Sequence, residues 1–148
     1  MNKQIDWMNL ALKQAKKAYK QGDVPVGAVI IKDNKLIAKA YNQKEKKNNV
    51  IKHAEIIAIE KACKKLKTWH LDDCIMYVTL EPCMMCTGAI VQSRIKKIVY
   101  ATPNPNYGFM NTNYEIQSVH NIEIQMNDDT LSEESSELLK QFFKEQRK

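Results

Sequence analysis

Four side chains in two short stretches carry the chemistry this sequence is equipped for: His53 and Glu55 in His53-Ala54-Glu55, and Cys83 and Cys86 in Glu81-Pro82-Cys83-Met84-Met85-Cys86. Cysteines three residues apart share a face if the segment is helical. In the first turn of a helix, unpaired backbone N–H groups and the positive end of the dipole favour the thiolate, which is the metal-binding form. One imidazole and two thiolates are donors that suit zinc better than harder ions, and three protein ligands leave a fourth tetrahedral position for water. Zinc draws the pKa of such a water towards ~7. The matching reaction is hydrolysis at an amidine-type ring carbon bearing an exocyclic amine. A carboxylate that sits beside the metal without ligating it then moves protons to the ring nitrogen and to the departing ammonia. Glu55 is the candidate for that carboxylate.

The spacing imposes a condition. Positions i and i+2 point in nearly opposite directions on a regular helix, so His53 and Glu55 serve one metal only if His53 stands at the helix entrance. The polar Asn48-Asn49 upstream and the apolar run downstream put an entrance about there. A lone C-x-x-C is also compatible with a structural zinc half-site or a redox pair. A structural site needs a fourth ligand, for which Cys63, Cys74, His70 and His120 are the available residues. The compound H-x-E before P-C-x-x-C favours catalysis, leaving Cys63 and Cys74 as small core residues and the two histidines at the surface.

The elements that must hold these residues follow from periodicity. Trp7, Leu10, Ala11, Ala15 and Ala18 recur at helical spacing, with Asp6 as a cap and Gly22 as a stop. Val24 to Ile31 and Leu36 to Tyr41 read as a hairpin around Lys32-Asp33-Asn34-Lys35, followed by a polar loop from Asn42 to Asn49. A helix is expected from His53 to Leu66, a strand from Cys74 to Leu80, and a helix from Cys83 to about Ser93 opened by Pro82. Lys97 to Ala101 and Ile122 to Met126 are further strands, separated by a Pro/Asn/Gly loop from Thr102 to Asn113. Thr130 and Glu133 suggest a capping box for a last helix through Leu138, Leu139, Phe142 and Phe143. Helices alternating with strands imply an α/β fold with three α/β/α layers, a hairpin first and parallel crossovers after it.

The bulk properties bound the rest. A chain of 148 residues without repeats or linkers suits a single domain spanning 1–148. No apolar run is long enough to cross a bilayer, and the start Met1-Asn2-Lys3-Gln4-Ile5-Asp6-Trp7 lacks a signal-peptide layout. A cytoplasmic protein without membrane contact, with its four cysteines as thiols or ligands, is the expectation. The net charge of +6 suits a polyanionic partner, although only Arg94 and Arg147 are arginines, the better phosphate readers.

The motif H-x-E…P-C-x-x-C is the signature of the zinc nucleobase deaminases. The chain resembles the cytidine deaminase superfamily and, within it, the bacterial tRNA-specific adenosine deaminases. Val24-Pro25-Val26-Gly27-Ala28-Val29, Thr79-Leu80-Glu81-Pro82-Cys83-Met84-Met85-Cys86-Thr87-Gly88-Ala89, Ser93-Arg94-Ile95 and Leu138-Leu139-Lys140-Gln141-Phe142-Phe143 carry the likeness. The resemblance implies a cytidine deaminase-like fold with a mixed five-stranded sheet, a domain of cytidine/deoxycytidylate deaminase type, one Zn2+ per subunit and a homodimer. It implies conversion of adenosine to inosine at the wobble position (34) of a tRNA anticodon stem-loop, with Asn42 hydrogen-bonding a flipped-out base. Val26 and Ala54 are candidates for the walls around that base, and an Asn amide suits a purine edge because it both donates and accepts. Lys44, Lys46, Lys47, Lys140, Lys144 and Arg147 are candidates for phosphate contact.

Two stretches depart from the family pattern. Asn49-Val50-Ile51-Lys52 replaces a small Pro-Ser/Thr segment, and Thr102-Pro103-Asn104-Pro105-Asn106-Tyr107-Gly108-Phe109-Met110 replaces one with an acid, a lysine and small residues. The alternative activity is deamination of free bases or nucleotides of the guanine or cytosine type. Lys61-Ala62-Cys63-Lys64-Lys65-Leu66 through Leu71-Asp72-Asp73-Cys74 resembles guanine deaminases. A zinc-stabilised RNA-binding module without turnover would have no use for Glu55.

Overall fold

Successive residues of the central strands are buried in opposite directions, and that alternation requires helices on both faces of the sheet. In a computed structural model, which describes residues 3–109, 114–127 and 130–146, this is the arrangement found. The elements in order are α1 (Lys3–Lys20), β1 (Gly27–Lys32), β2 (Lys35–Tyr41), α2 (Lys44–Lys47), α3 (Ala54–Leu66), β3 (Cys74–Leu80), α4 (Met84–Ser93), β4 (Lys97–Thr102), α5 (Tyr114–His120), β5 (Glu123–Met126) and α6 (Thr130–Gln146). They form one five-stranded sheet in the order β2-β1-β3-β4-β5. β1 is antiparallel to β2 and β3, whereas β3–β4 and β4–β5 are parallel. The mixed sheet and its hairpin-first topology agree with the sequence reading.

Ala28, Ile30, Met76, Val78, Ile98 and Tyr100 point to one face, where they pack with Ala54, Ile57, Ala58 and Ile90 of α3 and α4. Val29, Ile31, Tyr77, Val99 and Ala101 point to the other and meet Met8 and Ala11 of α1, with Leu131 of α6 beside them. Gly27 lies where α1 crosses β1. A Cβ there would stand 1.9 Å from the Ala11 carbonyl oxygen and 2.6 Å from the Ala15 nitrogen, so only glycine admits the helix at this distance. The hairpin turns on Asp33 and Asn34, both at positive φ (52° and 60°), as a two-residue type I′ turn requires.

Several elements differ from the sequence reading. α1 starts at Lys3, which puts Asp6 inside the helix rather than at its cap. β1 begins only at Gly27, because Pro25 offers no N–H and Val26 N bonds the Val24 carbonyl at 2.8 Å in a tight turn. Residues 44–47 are a helical turn within the expected loop. The cause is remote: the buried Asp23 carboxylate accepts the N–H of Glu45 at 3.0 and 3.2 Å and that of Lys46 at 3.3 Å. Cys83 is the N-cap of α4 and not its first residue, so Pro82 stands outside the helix. α5 falls between the loop and the strand of the sequence reading; among its residues with described side chains only Ile116 is buried and apolar, which gives little periodicity. The Thr130–Glu133 capping contact and residues 110–113 of the long loop lie outside the described residues. Among the described residues no helix is long and apolar enough to cross a membrane.

Candidate active site

α3 and α4 aim their N-termini at one point beyond the sheet, and the residue that caps each is a candidate ligand. His53 caps α3 with extended backbone (φ −77°, ψ 153°), and Cys83 caps α4 likewise (φ −76°, ψ 178°). The helix entrance required for His53 is therefore present. Neither side chain caps its own helix, which leaves the imidazole and the thiol free to ligate. At α3 the orphan N–H of Ala54 is taken instead by the Asn42 side-chain oxygen at 2.7 Å. At α4 the Cys83 backbone is held by a bridge to Gly108, and Phe109 N donates to the Pro82 carbonyl at 3.1 Å.

His53 Nδ1 lies 3.8 Å from Cys83 Sγ and 3.5 Å from Cys86 Sγ, and the three ligand atoms all fall within 4.8 Å of one another. Nitrogen and sulfur bound to one tetrahedral zinc stand roughly 3.5 Å apart, so the donor set fits a metal of that size and softness. Among the described residues this is the one such group. Cys74 is buried and Cys63 packs beside it against the core, and burial pushes both thiols up. His70 and His120 are exposed. None of the four joins the cluster, which removes the fourth ligand that a structural site would need.

The electrostatics favour a thiolate at Cys83. The hydrogen bond from the Cys86 thiol, with further help from His53, lowers Cys83 to about 4 despite partial burial. The same hydrogen bond, together with burial, holds the Cys86 proton on, so the metal-free pair is one thiolate and one thiol. His53 is raised by its hydrogen bond to Cys83. Two helix N-termini face this spot and favour negative charge there. Glu55, in the first turn of α3 and 4% exposed, is pushed up to about 7 by burial. A carboxyl at that value can both take and give a proton near neutral pH.

A cavity of about 270 Å³ opens over the group, with Val26, Asn42, Lys44, His53, Glu55 and Cys83 in its lining. Val26 and Asn42 thus both line this cavity. Ala54, the first residue of α3, is buried with its methyl in the core and its N–H on Asn42, directly between His53 and Glu55. Asn42 spends its oxygen on that bond, which leaves its Nδ2 amide as the donor for a ligand. Lys44 reaches the cavity, whereas Lys46 and Lys47 are exposed beside it. Lys140 and Lys144 line a neighbouring groove, and Arg147 lies outside the described residues. Sequence reasoning missed Asp23 and Glu81, both buried acids. Glu81 accepts the Asn104 N–H at 3.1 Å and so ties the following loop to the cavity. Its place directly before Pro82-Cys83 was the available signal.

Comparison with known proteins gives the same picture. The family model described as MafB19-like deaminase matches residues 1–147. The tRNA-specific adenosine deaminase of Bacillus subtilis (strain 168) is 42% identical over 146 residues, covering 96% of this chain and 89% of that protein. A solved structure described under A-to-I editing by tRNA:A34 deaminases at the wobble position superposes with a TM-score of 0.82 at 34% identity, covering 91% of this chain and 99% of that one. A guanine deaminase from Bacillus subtilis superposes with a TM-score of 0.67 at 32% identity, covering 82% and 92%.

Proposed function

The chain belongs to the MafB19-like deaminase family, among the tRNA-specific adenosine deaminases, and from that premise we infer that it hydrolytically converts adenosine to inosine at the wobble position of a tRNA anticodon. The observation that carries the reading is the buried Glu55 beside His53, Cys83 and Cys86 at the floor of a cavity. We propose that residues 1–148 form one zinc-dependent domain of cytidine/deoxycytidylate deaminase type. One Zn2+ per subunit is held by His53 Nδ1 and the sulfurs of Cys83 and Cys86. When bound there, zinc supplies the Lewis acidity that makes a water nucleophilic near neutral pH.

The remaining steps belong to the chain's own residues. Glu55 accepts the proton of the attacking water on a carboxyl oxygen, returns it to the ring nitrogen, and serves again as ammonia leaves. Its raised pKa keeps both protonation states within reach. Asn42 donates from Nδ2 to the base edge, and Val26 forms an apolar wall. A stacked base cannot reach the cavity floor, so the nucleotide is flipped out, which costs least in a single-stranded loop. We also infer a cytoplasmic homodimer, in keeping with the family.

The likeness to a guanine deaminase supports a second reading, a free-base deaminase. Ammonia release separates the two. Zinc-loaded protein is offered an anticodon stem-loop, free guanine and free cytosine in parallel. Release from the stem-loop alone is expected; release from guanine alone would overturn the tRNA assignment.

A further inference from the structure

The catalytic cavity does not end at its own rim. A larger groove of about 890 Å³ runs beside it between residues 102–107 and α6. The two share Leu80, Asn104, Tyr107 and Phe143, so whatever fills the cavity continues naturally into the groove. Tyr107 stands at this junction with 74% of its surface exposed, and among the described residues no aromatic ring covers it.

The loop that carries Tyr107 is braced. Its N–H donates to the Asn104 side-chain oxygen at 3.2 Å, Gly108 N donates to the Asn104 carbonyl at 2.9 Å, and Asn104 N is held by Glu81. Gly108 lies against the Glu81 carboxyl so closely that a Cβ there would stand 2.5 Å from Glu81 Cδ. Its backbone in turn bridges to Cys83. The ring is therefore anchored to the segment that bears a candidate metal ligand. Residues 102–109 contain no charged side chain, so this wall offers no charge to phosphate. Charge enters from α6, where Lys140 and Lys144 line the groove on either side of Phe143. Glu133 and Glu137 line it further towards the start of α6. Glu133 lies roughly 15 Å along the helix from Phe143, whereas Glu137 Oε1 stands 3.6 Å from Lys140 Nζ in an exposed pair that a phosphate would have to share.

An exposed ring, an uncharged wall and lysines beside an opening for one base are the parts of a single-strand platform. We propose that Tyr107 stacks on the base of the unpaired nucleotide next to the one held in the cavity, with the phosphate between them directed towards Lys140 and Lys144. This inference rests on the reading that a tRNA loop is the substrate. Stacking on an aromatic ring contributes ~1–3 kcal/mol per base and tolerates any base, so Tyr107 sets affinity for a single strand more than for its sequence.

The test measures binding and turnover of a labelled anticodon stem-loop by zinc-loaded protein. Parallel stem-loops carry an abasic site on the 5′ or the 3′ side of the wobble nucleotide. Tyr107→Ala is expected to weaken binding roughly tenfold and raise KM with little change in kcat, while Tyr107→Phe and Tyr107→Trp bind like the parent. On one of the two abasic loops the parent should fall to the level of Tyr107→Ala, and the variant should lose nothing more. Tyr107→Ala binding within twofold of the parent, or losing the same factor on the intact and both abasic loops, would overturn the platform alone. If the parent neither binds nor converts the stem-loop, the functional reading fails and the platform with it.

Discussion

The floor of the cavity, where His53, Glu55, Cys83 and Cys86 meet, is set by the starts of two helices, whereas its rim, carried by residues 102–109 and α6, is set by contacts between segments far apart in sequence. The floor draws on types and spacings that work only in one arrangement: a histidine just before a helix, an acid in its first turn, two cysteines three apart. The rim draws on a braced loop, held by Glu81, Asn104 and Gly108, and on exposed side chains such as Tyr107, Lys140 and Lys144 that no local pattern dictates. The chemistry is therefore local and constrained, and the choice of substrate is distributed.

The largest effects should separate the two jobs within the floor. Cys83→Ala or His53→Ala is expected to abolish both zinc content and turnover. Glu55→Ala is expected to keep zinc while turnover falls by ~10²–10⁴ or more, since the residue serves several proton transfers. Metal analysis beside rate measurement checks this, and loss of zinc from Glu55→Ala would place the carboxylate among the ligands.

Asn42 sits where floor and rim meet and sharpens the comparison. It lines the cavity while its side-chain oxygen caps α3, so Asn42→Ala should show two effects. kcat/KM should fall by roughly tenfold to a hundredfold from the lost base contact. Denaturation should show a loss of about 1 kcal/mol from the uncapped helix. A stability loss without a kinetic one would remove Asn42 from substrate recognition.

Burying Glu55 carries a cost that pH reveals. Its folded pKa, about 7, stands above the ordinary 4.5, so folding holds a proton that the unfolded chain releases. The stability this group contributes is full below pH 4.5, falls as pH rises to about 7, and levels off above. Metal-free Glu55→Gln should match the parent at low pH and exceed it above pH 7 by at most roughly 3 kcal/mol. Equal denaturation profiles at pH 8 would show the carboxyl to be better solvated than its burial suggests. At the rim, effects should be smaller and graded. Lys140→Ala or Lys144→Ala should weaken stem-loop binding a few-fold at low salt. Each should lower the slope of log affinity against log salt by about 0.7, the value for one phosphate contact on a single strand. An unchanged slope would leave Lys140 to its exposed pair with Glu137 and Lys144 to solvent.

The same contrast explains what the sequence disclosed. The i, i+2 spacing of His53 and Glu55 demanded a helix entrance, and His53 is the cap of α3. Helices alternating with strands implied three layers, and the apolar runs of β1, β3 and β4 are buried on both faces of the sheet. What stayed hidden depends on partners distant in the chain. Asp23 turns residues 44–47 helical from 21 positions away or more, and Glu81 reaches 23 positions to Asn104. The bond from Ala54 N–H to Asn42 likewise joins residues twelve apart, and nothing in the local pattern of either announces it.

The measurement that bears most directly on the account is the position of inosine in a product oligonucleotide. An anticodon stem-loop with adenosine at the wobble position and at a second loop position is treated with zinc-loaded protein, metal-stripped protein and Glu55→Ala, then sequenced by mass spectrometry. The account predicts inosine at the wobble position alone, and only with the zinc-loaded parent. Inosine formed equally at both positions, or formed by the stripped protein or by Glu55→Ala, would contradict it.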